Sequence, residues 1–137
     1  CGGRLFFSPH NASEIMVLDP VAREVSFLQT GRGQGLRKWS GVAECGGRLF
    51  FSPHNASEIM VLDPVAREVS FLDHGRGPGG GKWSGVAECG GRLFFCPRNA
   101  PDIMVLDPVA REVSFLDHGR GPGGGKWSGV AECGGRL

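Results

Sequence analysis

An all-β fold follows from three features of this 137-residue sequence: a 44-residue unit written three times, four short extended patterns in every unit, and no apolar stretch with a helical period. The string Cys-Gly-Gly-Arg-Leu opens the chain at Cys1 and returns at Cys45, Cys89 and Cys133. Units 45–88 and 89–132 differ at four positions, Ser52/Cys96, His54/Arg98, Ser57/Pro101 and Glu58/Asp102, and unit 1–44 differs from unit 45–88 at five.

Within the middle unit the extended stretches fall in a regular order. Arg48-Leu49-Phe50-Phe51-Ser52 is aromatic and aliphatic and stops at Pro53, and Glu58-Ile59-Met60-Val61-Leu62 runs into Asp63-Pro64. Glu68-Val69-Ser70-Phe71-Leu72 ends at Asp73-His74-Gly75. After a glycine-rich run, Lys82-Trp83-Ser84-Gly85-Val86-Ala87-Glu88 precedes Gly90-Gly91. Ile59 and Val61 face one way and Met60 and Leu62 the other, so both surfaces of the sheet are apolar and both need cover. A period of roughly 40 to 45 residues with several strands per unit meets that need as a β-propeller, whose four-stranded blades pack face to face. The stretch holding Ser84, Gly85 and Ala87 is placed innermost, because a strand at a crowded axis has room only for small side chains. Taking it as strand a, each blade reads a–b–c–d.

This order resembles propeller repeats of the YVTN and WD40 type, in which strand c ends in Asp and strand d ends near Gly or Gly-His. The matching residues are Ile59-Met60-Val61-Leu62-Asp63 and Asp73-His74-Gly75, and the pattern covers every unit. A kelch-like reading fits less well, because Gly90-Gly91 precedes a strand instead of following an apolar run.

The chain reads as one array, 1–137, of repeats 1–44, 45–88 and 89–132 with a fourth begun at 133–137. It starts at strand b, Arg4-Leu5-Phe6-Phe7, and finishes on a strand a, Lys126 to Glu132, which predicts twelve strands in two complete and two partial blades. Three blades do not close a ring that needs about four to eight. Either two copies join head to tail as a six-bladed homodimer, or the chain is part of a longer propeller. The opening on Cys1 instead of Met fits an incomplete piece.

Composition narrows the function classes. A net charge of +1, with 15 basic and 14 acidic residues evenly mixed, excludes a general electrostatic binder, so neither nucleic acid nor a membrane surface is expected as partner. No apolar run approaches the ~18 residues of a membrane helix. Cys1, Cys45, Cys89 and Cys133 repeat at the same turn of successive blades, about 10 Å apart and too far for disulfides, and Cys96 is odd. Free thiols point to a reducing, cytoplasmic setting. No Cys/His pair has zinc-ligand spacing, and neither metal nor cofactor is expected.

Several motif-like strings fail on context. Gly75-Arg76-Gly77-Pro78-Gly79-Gly80 matches G-x-G-x-x-G, but Pro78 and the strand that follows deny it the helix N-terminus that holds a pyrophosphate. Asp73-His74 and Asp117-His118 are the only dyads of catalytic type. Adjacent residues of an extended strand point to opposite sides, and no nucleophile accompanies them, so no catalytic residue is assigned and no enzyme is expected.

Binding is expected on one face. Strands alternate in direction, so the b–c and d–a turns share an end of the array. The b–c turns bring His10, Asn11, His54, Asn55, Arg98 and Asn99 there. The d–a turns bring Arg32, Asp73, His74, Arg76, Asp117, His118 and Arg120. Loops on a rigid scaffold commonly carry binding residues. The sequence therefore points to a non-enzymatic interaction scaffold that takes a protein, peptide or glycan. The alternative is a fragment of a larger propeller enzyme whose catalytic residues lie outside this chain.

Overall fold

The computed structural model describes residues 2–32, 37–121 and 123–136. These contain eleven strands: β1 (Leu5–Phe7), β2 (Glu14–Asp19), β3 (Glu24–Gln29), β4 (Trp39–Cys45), β5 (Arg48–Pro53), β6 (Glu58–Asp63), β7 (Glu68–Asp73), β8 (Trp83–Cys89), β9 (Arg92–Pro97), β10 (Asp102–Asp107) and β11 (Glu112–Asp117). Every pairing is antiparallel between consecutive strands. They form sheets β1-β2-β3, β4-β5-β6-β7 and β8-β9-β10-β11, the blades that the repeat predicts.

The two-sided pattern of each strand decides how the sheets stack. Leu49, Phe51, Met60 and Leu62 of the middle sheet pack with Ile15 and Val17 of the first. From its other side Phe50, Ile59 and Val61 pack with Leu93, Phe95 and Met104 of the third. Alternation at period two thus buries both faces of the middle sheet. At the ends of the stack the same residue types lie open. Leu5 is 52% and Phe7 40% exposed, while their equivalents Leu49 and Phe51 are 5% and 0% exposed. Burial of a large apolar side chain stabilises by about 1.5–3 kcal/mol, so identical sequence contributes less at an open end.

The inner position of strand a holds. β4 and β8 run beside each other, and both shift register where Ser-Gly follows the tryptophan, between Trp39 and Val42 and between Trp83 and Val86. Gly41 and Gly85 take φ of +93° and +88° at these bulges, a conformation that a Cβ disfavours. Trp39 and Trp83 are buried beside them, each indole Nε1 donating to the backbone carbonyl at the start of strand c, Glu58 at 2.9 Å and Asp102 at 3.0 Å.

One expectation needs correction. Lys126 to Glu132, predicted as the twelfth strand, joins no ladder, and Trp127 is 42% exposed. Its equivalents β4 and β8 pair with a following strand b, whereas here, among the described residues, the hairpin has only the isolated bridge between Cys133 and Arg136. An isolated strand without a ladder has unpaired backbone groups and no sheet geometry to adopt.

Candidate binding face

The b–c and d–a turns do share one end of the stack. The asparagines there organise the loops. Asn11, Asn55 and Asn99 accept, through Oδ1, the backbone N–H of Arg37 at 2.7 Å, Gly81 at 2.8 Å and Gly125 at 2.6 Å, each 26 residues further on. Asn99 also donates through Nδ2 to the Gly80 carbonyl at 2.7 Å. The d–a loop around Gly80 is therefore held by the blade behind it and the blade ahead.

The Asp-His pairs are satisfied inside their own turns. Asp73 and Asp117 each accept the N–H two residues on, from Gly75 and Gly119, at 2.7 Å. His74 Nδ1 accepts the Arg76 N–H at 3.0 Å, which makes Nε2 the protonated nitrogen that donates to the Ala56 carbonyl at 2.9 Å. His118 repeats this with Ala100 and Arg120, both at 3.1 Å. The rings stand edge-on to Trp83 and Trp127, at centroid separations of 5.0 and 4.8 Å. In the first unit Thr30 takes this place, donating to Ser13 and accepting from the Arg32 N–H.

The arginines of these turns act as clamps between blades. Arg32 pairs with Glu58 at 2.9 Å and lies 3.7 Å over the Phe71 ring, and Arg76 pairs with Asp102 at 3.2 Å and lies 4.0 Å over Phe115. Arg120 is exposed and has no carboxylate partner among the described residues.

His10, His54 and Arg98, equivalent positions of three successive units, come together. The His10 and His54 rings lie 5.5 Å apart edge to face, and Arg98 Nη1 donates to His54 Nε2 at 3.2 Å. His54 is 4% exposed, and its Nδ1 has no hydrogen-bond partner among the described residues. Burial holds the His54 pKa below its ordinary value, with the charges of Arg98, His10 and Arg37 adding to the effect and a backbone hydrogen bond at Arg37 opposing it, and His10 is lowered by burial and then by Arg37, Lys38 and Arg98. Burial likewise lowers Lys82. Arg37 and Lys38 belong to this basic group and escaped the sequence reading. The available signal was that Arg37 replaces the glycine found at 81 and 125, one of the few breaks in the repeat.

Beside this group, Lys82, Trp83, Asn99 and Asp102 line a groove of about 270 Å³ between the second and third blades. Among the described residues no group of three or more His, Cys, Asp or Glu could hold a metal ion. Cys45, Cys89, Cys96 and Cys133 are free, and Cys1 lies outside the described residues.

Solved structures resembling this stack of sheets have little sequence in common with it. The extracellular domain of the putative one-component system BT4673 from B. thetaiotaomicron matches with a TM-score of 0.66 at 15% identity, over 85% of this chain and 15% of that one. A chain of a nidogen/laminin complex matches with a TM-score of 0.69 at 13% identity, over 95% of this chain and 48% of that one. The fold is that of β-propeller blades. Glutaminyl cyclase from Myxococcus xanthus matches with a TM-score of 0.52 at 13% identity, over 79% of this chain and 45% of that one. This propeller segment spans less than half the length of each of these chains. No protein-family model matches the sequence, and no curated protein matches it.

Proposed function

We propose that this propeller segment, with repeats of the YVTN and WD40 type, is a non-enzymatic interaction scaffold that presents its b–c and d–a face to a protein, peptide or glycan. The observation that carries the reading is the basic group of His10, His54, Arg98 and Arg37 beside the groove at Lys82 and Asn99. An anionic group of a ligand would pair with the Arg37 and Arg98 charges and would favour protonation of His10 and His54, which burial and then those charges hold below their ordinary pKa. The other polar side chains of the face hold its loops in place, which makes it a preformed surface with a small ordering cost on binding. The similar nidogen/laminin complex is a case in which such a fold occurs with a protein partner.

Titration of the isotope-labelled protein with an acidic peptide and with an anionic oligosaccharide, followed by amide and imidazole chemical shifts, tests this. The expected outcome is saturable shifts at His10, His54 and Arg98 with one of the two, abolished by Arg98→Glu. Shifts spread over the whole surface, or turnover in a broad hydrolase and metal screen, would overturn it.

A further inference from the structure

The end of the stack opposite the polar face carries the same groove at two successive joins. Between the second and third blades, Arg48, Phe50, Glu88, Pro108, Val109 and Arg111 line a groove of about 590 Å³. Between the first and second, Arg4, Phe6, Pro64, Val65 and Arg67 line one of about 360 Å³, and each of these five lies 44 residues before its counterpart in the larger groove. Strand alternation places them, since Arg48 and Phe50 stand on the side of β5 that packs on the third blade. Phe50 is a buried floor, while Val65 and Val109 stand 92% and 93% exposed at the tips of their c–d turns. Those turns are pinned. Asp63 Oδ1 accepts the N–H groups of Val65 and Ala66, both at 3.1 Å, and Asp107 Oδ1 accepts those of Val109 and Ala110 at 3.1 and 3.2 Å. Arg67 and Arg111 close them at φ of +59° and +58°, where glycine is the unstrained choice. The larger groove thus has one guanidinium from each blade, and among the described residues neither Arg48 nor Arg111 is in an ion pair. Glu88, the carboxylate beside them, is bonded through Oε2 to the Gly91 N–H at 2.7 Å.

We propose that these grooves dock an extended acidic segment of a partner protein, one carboxylate of the segment lying between the arginines of each groove and a neighbouring aliphatic side chain against the exposed valine. Each part of the groove fits one part of that ligand. A guanidinium fork takes the two oxygens of a carboxylate through parallel hydrogen bonds, and the apolar surface of Phe50, Pro108 and Val109 gains by leaving water. A nucleic acid or polysulfated chain fits less well, because Glu44, Glu68, Glu88 and Glu112 at the same end of the stack repel a ligand that is charged at every unit. The turns point the same way. An arginine at positive φ forgoes backbone stability that glycine would keep, and in both copies its side chain lines the groove. Blades stack about 10 Å apart, which an extended chain covers in about three residues, so a segment with an acidic residue at every third position reaches both grooves at once. The inference concerns the opposite face from the one assigned above and stands without that assignment.

Fluorescence anisotropy of a labelled peptide of four Glu-Leu-Pro repeats, titrated with the intact chain, tests this. Saturable binding is expected, weakened about tenfold when the glutamates of the peptide become glutamines and about threefold when its leucines become serines. Arg111→Gly separates ligand contact from folding, because glycine relaxes the turn. Thermal stability should hold or rise in that variant while affinity falls about fivefold, and Val109→Ser, at an exposed side chain, should weaken binding about twofold with the fold unchanged. Amide shifts of the isotope-labelled protein should move at 46–50 and 108–111 and stay still at His10 and His54. Movement at His10, His54 and Arg98 instead would assign the peptide to the polar face and overturn the proposal. Unchanged affinity in Arg111→Gly, tighter binding of heparin in the same grooves, or no binding at about 1 mM peptide would overturn it equally.

Discussion

Gly41 and Gly85 face each other at the axis so closely that a Cβ built on Gly41 would lie 2.7 Å from the Gly85 Cα, and one on Gly85 would lie 2.8 Å from the Gly129 Cα. The adjacent serines follow the same column, Ser40 Oγ to Ser84 Oγ at 3.2 Å and Ser84 Oγ to Ser128 Oγ at 3.3 Å. Backbone meets backbone here, so no side-chain rotation relieves a clash. Gly85→Ala is expected to destabilise the protein by about 2–4 kcal/mol, combining strain at positive φ with overpacking. Urea denaturation measures it, and a loss below about 1 kcal/mol would mean that the inner strands can move apart.

Arg76 offers a contrast between charge and shape. Its ion pair with Asp102 is partly exposed and worth about 0–1 kcal/mol, while its cation–π contact with Phe115 adds about 0.5–1 kcal/mol. Arg76→Ala should therefore cost about 1 kcal/mol. Arg76→Lys keeps the charge but not the planar guanidinium and should recover less than half of that loss. Equal stability of the lysine variant and the native protein would assign the clamp to charge alone.

Acid should weaken the fold through its histidines. Burial lowers the pKa of both His54 and His74; the charges of Arg98, His10 and Arg37 lower His54 further against a backbone hydrogen bond at Arg37, and at His74 the hydrogen bond to Ala56 and the Asp73 charge oppose the shift while Lys82 and Arg76 add to it. A folded-state pKa below the unfolded value near 6.5 means that the unfolded chain takes up the proton first. The stabilisation is complete above about pH 6.5 and is lost as pH falls through the folded-state values. Denaturation midpoints between pH 7.5 and 5 should decline, and His54→Asn should flatten part of that decline. A flat profile in the native protein would contradict it.

Asn55 ties the b–c turn to the loop at Gly81. Asn55→Ala should cost about 1 kcal/mol, the usual range for a lost side-chain to backbone hydrogen bond, and should speed amide exchange selectively around Gly80 and Gly81. Unchanged exchange at those glycines would show that Asn99 alone holds the loop.

Much of the fold was legible because repetition and alternation are local. The equal spacing of four stretches per unit set the sheets, and Ile59 and Val61 opposite Met60 and Leu62 announced two buried faces, each filled by a different neighbour. The smallness of Ser84 and Gly85 located the inner strand. The polar face was legible as a set of turns, but the roles within it were not. Nothing in Arg76 says that it reaches across to Asp102, since that contact joins residues 26 apart through the stacking of two sheets. Arg37 joins His10 and His54 for the same reason, by proximity created in three dimensions.

By itself the sequence determined strand, turn and blade, since these depend on side-chain periodicity and on glycine and proline within one unit. Tertiary structure decided which of three nearly identical units does what. Phe7 and Phe51 sit in the same local sequence, yet one is 40% exposed and the other fully buried. Trp39 and Trp127 likewise share their flanking residues, and only the first lies in a strand. Burial and ladder pairing are properties of the neighbour that packs alongside, so equal sequence leads to unequal structure wherever that neighbour differs.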